Sequence, residues 1–142
     1  MEIQEKMPLT LMYITNNTEV GKIAEEAGVD RIFIDLETLG KEERQPNMDT
    51  VKSTHQIEDV GKMKNSLQKA ELLVRVNKMN PNSPKEIEKV IDQGADIVML
   101  PYFKTLEEIK TFLQIAAGRV KTNLLVETPE AVEKLDDILA VP

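Results

Sequence analysis

The sequence predicts an α/β fold of parallel β-then-α units, and three features of the chain lead there. Five apolar, β-rich runs alternate with helical patterns. Most of these pairs repeat at roughly 22 to 26 residues, the size of a short βα unit. The strand runs are almost continuously apolar rather than alternating, as expected of a parallel sheet covered on both faces.

The first strand is LTLMYI, residues 9–14. Asn17 or Thr18 can cap the helix that follows, which runs to Glu26 and stops at Gly28. The second strand is RIFIDL, residues 31–36. A long polar stretch follows it, with Gly40 and Pro46 as breakers. Ser53 and Gln56 then have the spacing of a capping box, which predicts a helix reaching Ala70. ELLVRVN, residues 71–77, is the third strand. Ser83, Pro84 and Glu86 predict a boxed helix to Gln93, with Gly94 as its stop. DIVMLP, residues 96–101, is the fourth strand, and Thr105 with Glu108 boxes a helix that ends near Gly118. TNLLVE, residues 122–127, is the fifth strand. Thr128 and Pro129 open the last helix, AVEKLDDILA.

A complete (β/α)₈ barrel needs about 250 residues and eight units. This chain has 142 residues and five units, and stops where a sixth strand is expected. Two architectures compete: five of the eight units of a TIM barrel, cut short, or a small doubly wound sheet. A doubly wound sheet usually carries a Gly-rich phosphate loop after its first strand. The first turn here, ITNNTEVG, has none. Residues 1–142 are therefore expected to form one partial barrel domain, βα units 1 to 5. The second unit is about 40 residues long, and its excess follows the C-terminal end of a strand, where functional loops accumulate in βα folds.

Composition narrows the function. The chain is 41% hydrophobic and only 4% aromatic, so its core is aliphatic. A formal net charge of -7 argues against general nucleic-acid binding, which needs clustered Lys and Arg. The absence of cysteine excludes disulfides, thiolate metal sites and a catalytic Cys. No run approaches the roughly 18 to 20 apolar residues that span a bilayer, and the N-terminus does not resemble a secretory signal. A cytoplasmic protein without membrane or nucleic-acid partners is expected.

Polar residues gather at the C-terminal ends of the strand runs. RIFIDLET delivers Asp35 and Glu37, ELLVRVN delivers Arg75, and NLLVET delivers Glu127. Arg75 lies between valines in an apolar run, and burying it without a partner would be costly. It either pairs with Asp35 or Glu37, or binds a substrate carboxylate or enolate. Glu127 suits a hard oxygen ligand for Mg²⁺ or Mn²⁺, or a carboxylate favoured by the helix N-terminus that follows it. Asp35 and Glu37, two apart, face the same side of an extended strand. They can orient Arg75, position water, act as a base, or simply line the start of a loop. His55 is the single histidine and falls in the first turn of a predicted helix, where a surface role competes with that of a base. Lys78 and Lys104 follow strands three and four. Neither lies in an apolar run that would lower its pKa for Schiff-base chemistry.

Taken together, AGVDRIFIDLET, ELLVRVN, GADIVMLPYFKTLEEI and LLVETPEAV resemble the HpcH/HpaI aldolase and citrate lyase beta-subunit family, in order and spacing over nearly the whole chain. The resemblance implies a (β/α)₈ barrel of the phosphoenolpyruvate/pyruvate type. It also implies cleavage or formation of carbon–carbon bonds next to a 2-keto acid or an acyl-CoA, with Mg²⁺, Mn²⁺ or a similar divalent ion. Arg75 then matches the arginine that holds the substrate carboxylate and enolate oxygen. Glu127 matches the first metal carboxylate, Asp35 and Glu37 the acidic pair after strand two, and Pro101 stands with Arg75 on the substrate side. This chain departs from the family at Thr38, where hydroxy-keto-acid aldolases carry His and citrate-lyase-like members often carry Asp. His55 becomes the substitute base. The second metal carboxylate follows strand six in the family. The expected function is that of a metal-dependent lyase working through an enolate, active only with more of the barrel than these five units, and assembled as a homo-oligomer. A catalytically inactive barrel relative, or a fragment serving as an assembly module, is the alternative.

Overall fold

The computed structural model describes residues 9–39 and 54–142. Its five strands are β1 (Met12–Ile14), β2 (Arg31–Asp35), β3 (Glu71–Arg75), β4 (Ile97–Leu100) and β5 (Lys121–Leu124). The helices are α1 (Thr18–Glu26), α2 (Glu58–Ser66), α3 (Ser83–Asp92), α4 (Leu106–Ala116), α5 (Pro129–Glu133) and α6 (Leu135–Leu139). The strands form one parallel sheet in the order β1-β2-β3-β4-β5. A doubly wound sheet reverses its strand order at a switch point. Unbroken sequential order is barrel topology.

Side chains alternate across a strand, so each strand feeds two layers. One face carries Ile32, Ile34, Leu36, Leu72, Val74, Val76, Val98 and Leu100, packed under the helices with Val60, Met63, Ile87, Val90, Ile109 and Phe112. Burial of such side chains contributes roughly 1.5–3 kcal/mol each. The opposite, inner face is stratified. Arg31, Glu71 and Lys121 lie at its N-terminal edge, where Glu71 Oε1 is 3.5 Å from Arg31 Nε and its Oε2 is 2.7 Å from Lys121 Nζ. Phe33, Leu73, Ile97 and Met99 fill the middle. Asp35 and Arg75 stand at the C-terminal edge. Lys121 reaches across β4 to a side chain of β3 on this inner face. Layered side chains on the face away from the helices are the interior pattern of a βα barrel.

Caps and stops follow the sequence in part. Asn17 Oδ1 accepts from the N–H of Glu19 and Val20, so Asn17 rather than Thr18 is the cap of α1. Thr105 caps α4, and Thr128 caps α5. The helix before β3 differs from expectation. Ser53 lies outside the described residues, and α2 begins only at Glu58, where the Asp59 carboxylate reaches back to the Gln56 N–H. It ends at Ser66 instead of Ala70, because the Glu25 carboxylate takes the N–H groups of Gln68, Lys69 and Ala70. The box expected at Ser83 does not form. Ser83 Oγ accepts from Asn80 N–H, and Glu86 turns to Asn77 instead. The last helix is two short ones, broken at Lys134. No described helix is long and apolar enough to cross a membrane.

Candidate active site at the C-terminal edge of the sheet

Parallel pairing sets Asp35 directly beside Arg75. The guanidinium binds the carboxylate in a two-pronged arrangement: Nε donates to Oδ1 at 2.9 Å and Nη2 to Oδ2 at 2.6 Å. This fork geometry is the strongest common ion pair in proteins. Glu37 Oε2 lies 3.9 Å from Arg75 Nε, and the Arg75 guanidinium carbon sits 5.4 Å from the centre of the Phe33 ring. Burial works to lower the pKa of Arg75. The hydrogen bond and charge of Asp35, with the charges of Glu37 and Glu127, outweigh it and raise the net value. Arg75 is thus a fixed cation, its side chain 18% exposed. Its Nη1 makes no hydrogen bond among the described residues.

The loop after β2 is anchored by polar side chains. Glu37 N–H donates to Asp35 Oδ1 at 3.1 Å, which folds the buried Glu37 back toward the pair. The Asp35 N–H donates to His55 Nδ1 at 2.9 Å. With Nδ1 accepting, the neutral imidazole carries its proton on Nε2. Asn77 Oδ1 accepts from Thr38 N–H at 2.7 Å and Leu39 N–H at 2.9 Å. Asn77 itself donates from N and Nδ2 to the Glu86 carboxylate, at 3.0 and 2.8 Å. Burial raises the pKa of Glu86, and the two Asn77 donors offset this only in part.

Glu127 lies just past β5, on the same inner face as Asp35 and Arg75 by strand alternation. Its Oε1 accepts the Tyr102 N–H at 3.0 Å. Tyr102 adopts a left-handed backbone, φ 51, just after the buried Pro101. Lys78 Nζ and Lys104 Nζ stand 5.7 and 5.3 Å from its ring centre.

Every residue singled out in the sequence falls at this edge, but not as one cluster. Asp35, Glu37, Arg75 and His55 are joined by the bonds above. Glu127 and Pro101 belong to the neighbouring β4–β5 corner, and the charge of Glu127 acts on Arg75. Among the described residues, no group of three His, Asp or Glu side chains is arranged to hold a metal ion. Glu127 offers one hard oxygen donor held by a backbone N–H, while Asp35 is turned to Arg75. An ion of the Mg²⁺ kind needs one or two protein carboxylates beside substrate oxygens, so the residues present fit it as a single ligand. Asn77, Glu86 and Tyr102 were not singled out. Glu86 had the spacing of a capping box, and nothing in the sequence showed Asn77 turning toward a loop 38 residues earlier.

Several solved structures resemble the chain. Macrophomate synthase matches with a TM-score of 0.65 and 16% identity, over 94% of this chain and 52% of that one. An HpcH/HpaI aldolase from Desulfitobacterium hafniense DCB-2 matches with a TM-score of 0.65 and 17% identity, over 93% and 58%. Phosphonopyruvate hydrolase, in complex with oxalate and Mg²⁺, matches with a TM-score of 0.62 and 19% identity, over 94% and 50%. At these identities the likeness establishes the fold, and the chain spans about half the length of the solved structures it matches. The comparison with curated proteins gave no match. The family profile described as HpcH/HpaI aldolase/citrate lyase matches residues 9–142. With sequential parallel strands and its charged residues gathered at their C-terminal ends, the chain belongs to the HpcH/HpaI aldolase/citrate lyase family.

Proposed function

We propose that this chain carries the enolate-binding half of a metal-dependent carbon–carbon lyase acting on a 2-keto acid or related acyl substrate. The observation that carries the reading is Arg75: a permanently charged guanidinium at the C-terminal edge of β3, clamped on one side by Asp35, with Nη1 left for a substrate oxygen. Charge fixed in advance where an enolate develops is a large source of rate enhancement. Glu127 would hold Mg²⁺ or Mn²⁺ together with substrate oxygens; when bound, the ion supplies Lewis-acid polarisation of the keto group. A similar fold holds oxalate and Mg²⁺ in phosphonopyruvate hydrolase.

In the retro-aldol direction a base removes the proton of the aldol hydroxyl. The carbon–carbon bond breaks, the aldehyde leaves, and the electron pair becomes the enolate that Arg75 stabilises. Protonation at carbon then releases the keto acid. Asp35 and Glu37 hold Arg75 in place, and Pro101 walls the substrate side. His55 is the candidate base or relay. Its Nδ1 is engaged by the Asp35 N–H, so a proton it moves passes through Nε2.

One observation favours the inactive, structural alternative: Asp35 already takes two donors of Arg75. The test separates the two. Arg75→Lys in the intact protein keeps a positive charge but loses the fork. Retro-aldol cleavage should fall about 100-fold or more, in line with loss of one preorganised donor. Turnover within threefold of the unaltered protein would refute the assignment.

A further inference from the structure

Glu86 is an acid in the first turn of α3 that does not serve its own helix. The turn before it is closed by Ser83 Oγ, which accepts from Asn80 N–H at 2.8 Å, and this brings α3 against the end of β3. There one residue takes both Glu86 oxygens: Asn77 donates from N to Oε1 at 3.0 Å and from Nδ2 to Oε2 at 2.8 Å. The other end of the Asn77 amide faces the loop after β2. Its Oδ1 accepts from Thr38 N–H at 2.7 Å, Leu39 N–H at 2.9 Å and the Thr38 hydroxyl at 3.3 Å.

A side-chain amide accepts at one end and donates at the other, whereas an ionised carboxylate only accepts. Glu86 therefore selects one of the two orientations of the Asn77 amide. Turned over, the amide would set its oxygen against the carboxylate and its NH₂ against two backbone donors. Few bonds separate this choice from the candidate site. Thr38 follows Glu37, whose N–H donates to Asp35 Oδ1 at 3.1 Å. The same oxygen takes Arg75 Nε at 2.9 Å. Leu36 N–H donates to the Arg75 carbonyl at 2.9 Å. Residues 35–39 are thus fastened to β3 twice, at Arg75 and at Asn77 two residues on. Rate depends steeply on such placement: a shift of about 1 Å far from the chemistry can cost about 100-fold.

We infer that Asn77 and Glu86 are positioning residues for the proposed reaction: Glu86 orients the Asn77 amide, the amide fixes the loop that carries Glu37, and the loop holds the Asp35–Arg75 pair in its working geometry. This deepens the proposed function and rests on it, since Arg75 is there the group that stabilises the enolate.

Exchanging the two end groups tests the relay. Glu86→Gln sets amide against amide, and Asn77→Asp sets carboxylate against carboxylate. The double variant Asn77→Asp/Glu86→Gln restores every donor and acceptor with the roles exchanged, at unchanged net charge. In the chain, NMR follows the Arg75 Nε–H, the donor to Asp35. Its exchange with solvent should accelerate about tenfold or more in each single variant and return to within threefold of the unaltered rate in the double. In the intact protein, kcat for retro-aldol cleavage should fall about tenfold in each single variant with KM within threefold, and recover in the double. Glu25→Gln, which frees the loop before β3, is the stability control: its thermal melt should drop with kcat unchanged. Rescue of Arg75 exchange without keto-acid turnover by the unaltered protein would retain the relay and reject the proposed lyase. Turnover by the unaltered protein with a double variant that does not fold and recover, or Arg75 exchange unmoved by the single variants, would overturn the relay.

Discussion

The pair formed by Arg75 and Asp35 sets a measurable stability as well as the candidate chemistry. Replacing Asp35 with Ala removes the acceptor of two Arg75 donors and of the Glu37 N–H. Breaking a buried ion pair from one side costs about 3–5 kcal/mol, because a desolvated charge is left behind. Two features place this case at the lower end. The Arg75 side chain is 18% exposed, and Glu37 remains 3.9 Å from Nε as a second negative charge. About 3 kcal/mol is expected, or roughly 6–12 °C in Tm for a chain of this size. The clean measurement is a double-mutant cycle: Asp35→Ala, Arg75→Ala and the double variant, each unfolded in urea. The single losses should exceed additivity by about 2 kcal/mol or more, because the second deletion removes a charge the first has orphaned. A coupling below about 0.5 kcal/mol, typical of a solvated surface pair, would refute the reasoning that this guanidinium is fixed by Asp35.

Two further outcomes follow from the polar anchors. The pKa of Glu25 is lowered: burial pushes it up, but the N–H donors of Ala70, Lys69 and Gln68 outweigh that. A depressed carboxylate stabilises the fold above its unfolded pKa, about 4.3, and that contribution is lost as pH falls through the folded value. Solvent screens this carboxylate, so Glu25→Gln should cost only about 0.5–1 kcal/mol at pH 7, with the gap to the unaltered chain closing as the pH falls through the folded value in parallel melts; a pH-independent gap would contradict this. Asn77→Ala strips the Thr38 and Leu39 N–H groups of their acceptor and removes the Nδ2 donor from the half-buried Glu86 carboxylate, which keeps the backbone N–H of residue 77. A loss of about 1–2 kcal/mol is expected. Hydrogen exchange at Thr38 and Leu39 should accelerate, and unchanged protection there would exclude Asn77 as the anchor.

Local pattern carried most of the fold. The apolar runs at residues 31–36, 71–77 and 96–101 had no other use than buried strands, and short units with capping residues between them left a parallel sheet as the simplest assembly. Arg75 was legible for the same reason: a charge inside LLVRVN needs a partner or a ligand wherever it is placed. Element ends were legible only where the cap is local, as at Asn17, Thr105 and Thr128. They were not where a distant carboxylate decided the matter. Glu25 ends α2 from 43 to 45 residues away, and Glu86 abandons its own helix start for Asn77.

The sequence by itself determined which residues carry charge at strand ends, because continuous apolar runs that turn polar at their C-terminal ends leave those positions as the exits from a buried sheet. Tertiary structure alone decided how the charges divide. Register put Asp35 opposite Arg75, so the two became one ion pair and not two independent groups. The left-handed turn at Tyr102 gave Glu127 a backbone donor and gathered two lysines on one ring. Sequence spacing fixes which face a side chain takes, but which neighbour it meets depends on strand pairing and curvature, and those are set by the packing of the whole sheet.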